Sequence, residues 1–224
     1  HMLPVDPYSG SYAFATNLGN ESDMTLTREF DFTNASGPVN LSFSTWYDVE
    51  KDYDYVFLEV SEDGEHWQII TTPSGTGDDP SGNSYGWGYN GKTDGWIQEN
   101  VDLSQYAGKK VQVRFEYVTD AAVTGEGFLL DDVSVDAVNY KSDFEADDGG
   151  WTAEGFTRVQ NIIPQTYRLT LMTKGANAIT VKAIELNSDQ TAEIPLSIKD
   201  GEEVTLIVTG TTRYTREKTI YQIE

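Results

Sequence analysis

The chain contains no cysteine, so disulfides and thiolate metal sites are excluded, and its 224 residues must be held by packing, hydrogen bonds or an oxygen-ligated ion. Cations are scarce: 15 lysines and arginines stand against 37 aspartates and glutamates, for a formal charge of −22. With no basic stripe to displace phosphate counterions, neither a nucleic-acid partner nor binding to an anionic membrane is expected. No apolar run reaches the length of a membrane span, so membrane insertion is not expected either. Of the two histidines one is His1, which leaves His66 alone in GEHWQ. A lone histidine in an exposed-looking hairpin supports neither a nucleophilic triad nor an HExxH zinc site. No amphipathic helix is evident, and GWGYNG neither follows a strand nor opens a helix, which rules out a phosphate-cradling loop. No signal peptide is present, but His1-Met2 reads as an expression-tag remnant. A piece of a longer protein is therefore expected, and the missing signal carries no information.

What the chain does have is alternation. In 39–48, Val39, Leu41, Phe43, Thr45 and Tyr47 alternate with polar or outward residues, and Val56, Leu58 and Val60 share a face in the next segment. A period of two is the signature of half-buried strands. Further strands are expected over 12–16, 24–32, 67–72, 96–103, 110–117 and 127–137, with Asp63-Gly64 making a tight hairpin turn. Short strands at regular spacing without helices predict an all-β fold, a jelly-roll sandwich over 3–138. The acidic, Gly-containing KSDFEADDGG reads as the domain boundary. Beyond it, strands over 151–159, 165–173, 178–186, 192–198, 203–209 and 218–223 predict a small immunoglobulin-like β-sandwich over 139–224. Most of the charge excess belongs to the first part, since residues 1–140 carry 24 acidic side chains and only 6 basic ones.

The strongest chemical signal lies between the two core strands at 46–61, WYDVEKDYDYVFLEVS. Asp48, Glu50, Asp52 and Asp54 place four carboxylates in seven residues, offset only by Lys51. The strand GEGFLLDDVSV adds Asp131 and Asp132, and strict alternation places Asp131 on one face with Leu129, Val133 and Val135. A buried carboxylate needs a partner. These acids predict a structural calcium ion, a hard cation that takes about six to eight oxygens. The spacing is not that of an EF-hand. Asp23 and the pair Asp78-Asp79 are weaker candidates. The bland alternative is a set of solvated edge charges.

A second candidate is the long loop 73–95, where Tyr85, Trp87 and Tyr89, with Trp96 just beyond, could stack on a sugar ring and make the domain a carbohydrate-binding module. The competing reading is that the same rings roof the sandwich core. Hydrolysis by paired carboxylates is disfavoured, because Asp131 and Asp132 point to opposite faces of their strand and suit neither glycosidase separation.

The blocks DMTLTREFDFT, LSFSTWYDVEKDYDYVFLEVSEDGEHW, LSQYAGKKVQVRFEYVTD and GFLLDDVSV together resemble the MAM-like jelly roll that follows the catalytic domain in secreted bacterial metallopeptidases of the immune inhibitor A family. FEADDGGWTAEGFTRVQNIIPQTYRLTLM resembles the region after it. The resemblance implies a secreted, multidomain zinc peptidase whose jelly roll binds calcium, at positions matching Asp52, Asp54, Asp131 and Asp132. It also implies that the jelly roll supports or docks the catalytic domain. The family's HExxH is absent, so this piece is expected to be non-catalytic and zinc-free. Its expected partners are the parent's catalytic domain and protein or glycan on a cell surface.

Overall fold

The computed structural model describes residues 2–163, 165–212, 218 and 220–223. They form two compact units, 1–161 and 162–224.

In the first unit the strands run β1 (Tyr12–Thr16), β2 (Asp23–Asp31), β3 (Asn40–Asp48), β4 (Tyr55–Ser61), β5 (Gln68–Ile69), β6 (Ile97–Asp102), β7 (Lys110–Val118), β8 (Gly127–Val135), β9 (Tyr140–Ser142), β10 (Thr152–Glu154) and β11 (Phe156–Gln160). One sheet has the order β11-β1-β8-β3-β6, with β9 also on β8, and the other has the order β10-β2-β7-β4-β5. The neighbouring pairs are antiparallel. The inward alternates of both sheets close one core, in which Phe43 meets Phe115 edge-on at 5.0 Å and Phe128 lies 5.9 Å from Phe115. Burying each such ring stabilises the fold by roughly 2 kcal/mol, and the strand alternation is what places the rings there. The fold is the expected all-β jelly roll.

Two differences from the sequence reading matter. The first concerns the domain boundary. Residues 140–160 belong to the jelly roll, because β11 pairs with β1 over five residues and β10 pairs with β2. Phe144, Trp151 and Phe156 also enter the main core. The break expected at 139 is therefore an inter-strand connection, and the compact units divide after Asn161. What reads as one strand over 151–159 is two, one in each sheet. They are separated by Gly155, whose φ of +80° and close approach to Met24 leave no room for a side chain.

The second is a β-bulge in β8. The register against β3 shifts between Ser42 and Ser44, and Asp132 has φ of 49°. An extra residue reverses the facing of everything beyond it. Phe128 and Leu130 before the bulge, and Val133 and Val135 after it, all enter the main core. Leu129 instead packs on the far side of the sheet with Leu3 and Trp46. Asp131 thus does not share a face with Val133 and Val135.

The second unit holds β12 (Tyr167–Lys174), β13 (Ile179–Ile184) and β14 (Glu203–Gly210) in one antiparallel sheet of order β13-β12-β14. It is a smaller β unit, consistent with an immunoglobulin-like sandwich. Residues 192–198 are not in a strand, and the strand expected over 218–223 falls partly outside the described residues.

Candidate metal centre

β4 and β7 are antiparallel neighbours, with Tyr55 opposite Val118. Asp54, just before β4, and Asp120, two residues past β7, are therefore brought to the same end of the sheet. The turn between β3 and β4 adds Glu50. One carboxylate oxygen from each of Glu50, Asp54 and Asp120 lies within 4.8 Å of the other two. The backbone of the turn is fixed independently. The Asp54 N–H donates to the Glu50 carbonyl at 3.1 Å, and the Asn90 amide donates to the Asp54 carbonyl at 3.0 Å while accepting from the Asp52 N–H.

Burial and mutual repulsion both disfavour negative charge on these acids. Asp54 is fully buried. One of its oxygens accepts from the Tyr117 hydroxyl at 3.2 Å, the other from the Asp120 N–H at 2.9 Å. Desolvation nonetheless raises its pKa above the ordinary carboxylate value, and those hydrogen bonds only partly oppose the rise. Glu50 is raised as well, first by desolvation and then by the charges of Asp120 and Asp54. Its Oε2 is buried without a hydrogen-bond partner. Among the described residues no lysine or arginine forms an ion pair with any of the three. A donor set made of oxygen alone, with one orphaned buried oxygen and three mutually repelling acids, fits calcium. Backbone carbonyls and water would complete its shell.

The six carboxylates expected from sequence do not gather. Glu50 and Asp54 meet. Asp48 ends β3 opposite Gly127, outside the trio but near enough that its charge acts on Tyr117 along with Asp54 and Glu50, and Asp52, with φ of 72°, turns to the loop and lies near Tyr55 together with Asp78 and Asp79. Asp131 sits opposite Ser44, four residues further along β3 than Asp48, or about 13 Å at the strand rise. Its carboxylate accepts from the Ser9 N–H at 3.1 Å and the Asp132 N–H at 2.8 Å, and the Ser9 hydroxyl donates to Asp132 at 2.9 Å. These two acids fasten the N-terminal segment and do not reach the cluster. Asp120 was missed. The signal that could have found it was the strand pairing itself, since antiparallel pairing of 55–61 with 110–118 brings residues 54 and 120 together. Asp23 lies elsewhere, beside Glu59 and Glu116.

The aromatic loop is dispersed in the same way. Tyr89 is a core residue, in ring contact with Tyr47 and Phe128. The Trp87 indole donates to the Thr72 carbonyl at 3.0 Å. Tyr85 is 68% exposed and stacks on Phe57 of one sheet, whereas Trp96 lies against Tyr8 beside the Leu3–Trp46–Leu129 cluster of the other. The four rings share no single platform.

Comparison with known proteins gives an independent line. Over 156 residues, 69% of this chain, it is 28% identical to a protein of Vibrio cholerae serotype O1 named pre-pro-metalloprotease PrtV. It is 35% identical over 148 residues, 65% of the chain, to immune inhibitor A of Bacillus thuringiensis subsp. alesti. It is 33% identical over 135 residues, 58% of the chain, to bacillopeptidase F of Bacillus subtilis. The match spans only 16%, 20% and 8% of those three proteins respectively. The family model described as "Immune inhibitor A-like, MAM domain" matches residues 2–161, which is the unit built by the two sheets and carrying the carboxylate cluster. With most of its length inside that match, the chain belongs to the immune inhibitor A-like MAM domain family.

Proposed function

We propose that this chain is a calcium-stabilised, non-catalytic region of a larger extracellular bacterial metallopeptidase, in which it supports the catalytic domain or presents it to protein substrate or cell-surface material. The observation that carries the reading is the meeting of Glu50, Asp54 and Asp120, with Glu50 Oε2 buried and unpartnered, inside the unit that matches the family. The parent's class rests on relatives named metalloprotease and peptidase, and the chain itself contains no HExxH. The metal's role is structural. It ties the β3–β4 turn to the end of β7 and, by binding only the folded state, stabilises it by mass action. The unit at 162–224 is read as an accessory β domain.

Calcium at a hundredfold excess over its dissociation constant adds about 2.7 kcal/mol, or roughly 5–10 °C in Tm for a chain of this size. Scanning calorimetry in calcium and in chelator is expected to show that shift, and both Asp54→Asn and Asp120→Asn to abolish it. Asp131→Asn should retain the shift at a lower absolute Tm. Identical melting with and without calcium would overturn the metal reading. Co-elution with a catalytic domain supplied in trans tests the supporting role separately.

A further inference from the structure

We infer that the outer face of the β10-β2-β7-β4-β5 sheet carries a groove that binds a neutral saccharide, separate from the carboxylate centre. Cross-strand pairing sets Thr152, Thr27 and Arg114 in one row across β10, β2 and β7. Glu154 stands beside Thr25 in the next row on one side, and Glu29 beside Gln112 in the next row on the other. Along β2 and β7 these residues alternate with Leu26, Phe30, Val113 and Phe115, which enter the core, so they stand on the solvent side. Together with Arg28 and Gly150 they line a groove of about 420 Å³, within the roughly 300–1,000 Å³ of small-molecule sites. Arg114 precedes Val118, the residue opposite Tyr55 at the carboxylate end of the sheet, by four positions, or about 13 Å along β7.

The lining selects the chemistry of the ligand. It contains no apolar side chain, which disfavours a lipid or an apolar anchor. Arg28 and Arg114 balance Glu29 and Glu154, so the groove is formally neutral on a chain of charge −22, and neither an anion nor a cation meets a complementary field there. What it offers is hydrogen bonding that the fold has not used. Among the described residues, the side chains of Thr25, Gln112, Thr152 and Glu154 bond to no other group of the chain. The two guanidinium groups are fixed in advance. Arg114 Nε donates to Thr27 Oγ1 at 3.1 Å, and its plane lies 3.7 Å from the centre of the Trp67 ring. Arg28 Nε donates to the Gly149 carbonyl at 2.9 Å beneath the Tyr140 ring contact at 3.9 Å. Groups already held in place lower the ordering cost of binding. Hydroxyl, amide, carboxylate and guanidinium side by side present donors and acceptors together, which suits the adjacent hydroxyls of a sugar, each donor and acceptor at once. A peptide strand instead docks on a sheet edge with pockets for alternate side chains, whereas this groove lies on the sheet face.

The test is isothermal titration calorimetry of the whole chain in saturating calcium, against the neutral hexasaccharides of glucose, mannose, xylose and N-acetylglucosamine, with hexagalacturonate as the anionic control. At least one neutral hexasaccharide is expected to bind, and hexagalacturonate is not. Glu154→Ala should weaken that binding about tenfold, and Gln112→Ala and Thr152→Val a few-fold each. All three variants should keep the parent's Tm, because these side chains bond to nothing else in the chain. Tyr85→Ala, which removes the exposed ring of the 73–95 loop, should bind as the parent does. No binding of any neutral hexasaccharide at millimolar concentration overturns the proposal, as does a preference for hexagalacturonate or binding that survives both Glu154→Ala and Gln112→Ala. Loss of binding in Tyr85→Ala alone places the sugar on the loop and overturns it equally.

Discussion

Glu59 and Glu116 lie on the outer face of neighbouring strands β4 and β7, hydrogen-bonded to each other with Asp23 adjoining. Burial, and then the charge of Glu59, push Glu116 up to about 8 from 4.5, and the Arg114 guanidinium at 3.9 Å offsets this only in part. Burial raises Glu59 as well. Between pH 4.5 and 8 the folded chain thus holds a proton that the unfolded chain releases, so stability falls as pH rises through that window. Below it both states are protonated, and above it both are ionised with the penalty complete. Glu116→Gln is expected to flatten the decline of Tm between pH 5 and 8. It should also exceed the parent's stability at pH 8 by on the order of 1 kcal/mol; parallel pH profiles would contradict this. The position of Glu59 on an outward face was legible in the alternation, but its burial was not. All seven residues of β4 are buried, because β5 pairs along its edge and the ring of Tyr85 stacks on Phe57 over a face that the pattern alone leaves open.

Among the elements, β8 departs furthest from its pattern. GFLLDDVSV reads as a strictly alternating strand, and one extra residue at Asp131–Asp132 divides it into two halves of opposite phase. The bulge turns Asp131 to the far side of the sheet, where it is fully buried and accepts hydrogen bonds from the N-terminal segment. Burial pushes its pKa up to about 7. That segment is itself anchored, with the Asn161 side-chain oxygen accepting from the Met2 and Leu3 N–H groups at 2.9 Å each and Trp96 Nε1 donating to the Asp6 carbonyl at 2.9 Å. Asp131→Ala should cost about 1–3 kcal/mol in the full chain, since it strands the Ser9 N–H. It should cost markedly less once residues 1–10 are deleted and that donor is gone. Urea denaturation of the four chains in this cycle measures the coupling, and equal costs in both backgrounds would show that Asp131 does not act through the N-terminal segment.

For the molecule as a whole, the decisive feature is where the first unit ends. A chain stopped after Asn161 keeps both sheets and is expected to melt cooperatively and retain its calcium shift. One stopped at Val138 loses the strands flanking β1 and β2, along with Phe144, Trp151 and Phe156 from the core. Removing three large buried rings, each worth about 3–5 kcal/mol, takes away as much as the whole 5–15 kcal/mol of a typical domain. Recovery of the shorter chain only as aggregate checks this; a soluble, cooperatively melting 138-residue chain would place the boundary back at 139.

The residues by themselves determined that the chain is β, where most strands of the first unit run, and that its surplus negative charge concentrates between two core strands. Hydrophobic period and turn chemistry are local properties, and local properties survive in a string of letters. Only the tertiary structure decided which acids meet. Glu50 and Asp54 were legible because they share one turn. Asp120 was not, because 66 residues separate it from Asp54 along the chain and only the pairing of β4 with β7 closes that distance. Likewise strand register, with Asp131 opposite Ser44 and four residues along β3 from Asp48, keeps Asp131 from the centre, and the left-handed residue at Asp132 parts it from the face of Val133 and Val135. Strand phase inverts with every inserted residue, and a bulge is set by the partner strand rather than by the sequence it interrupts.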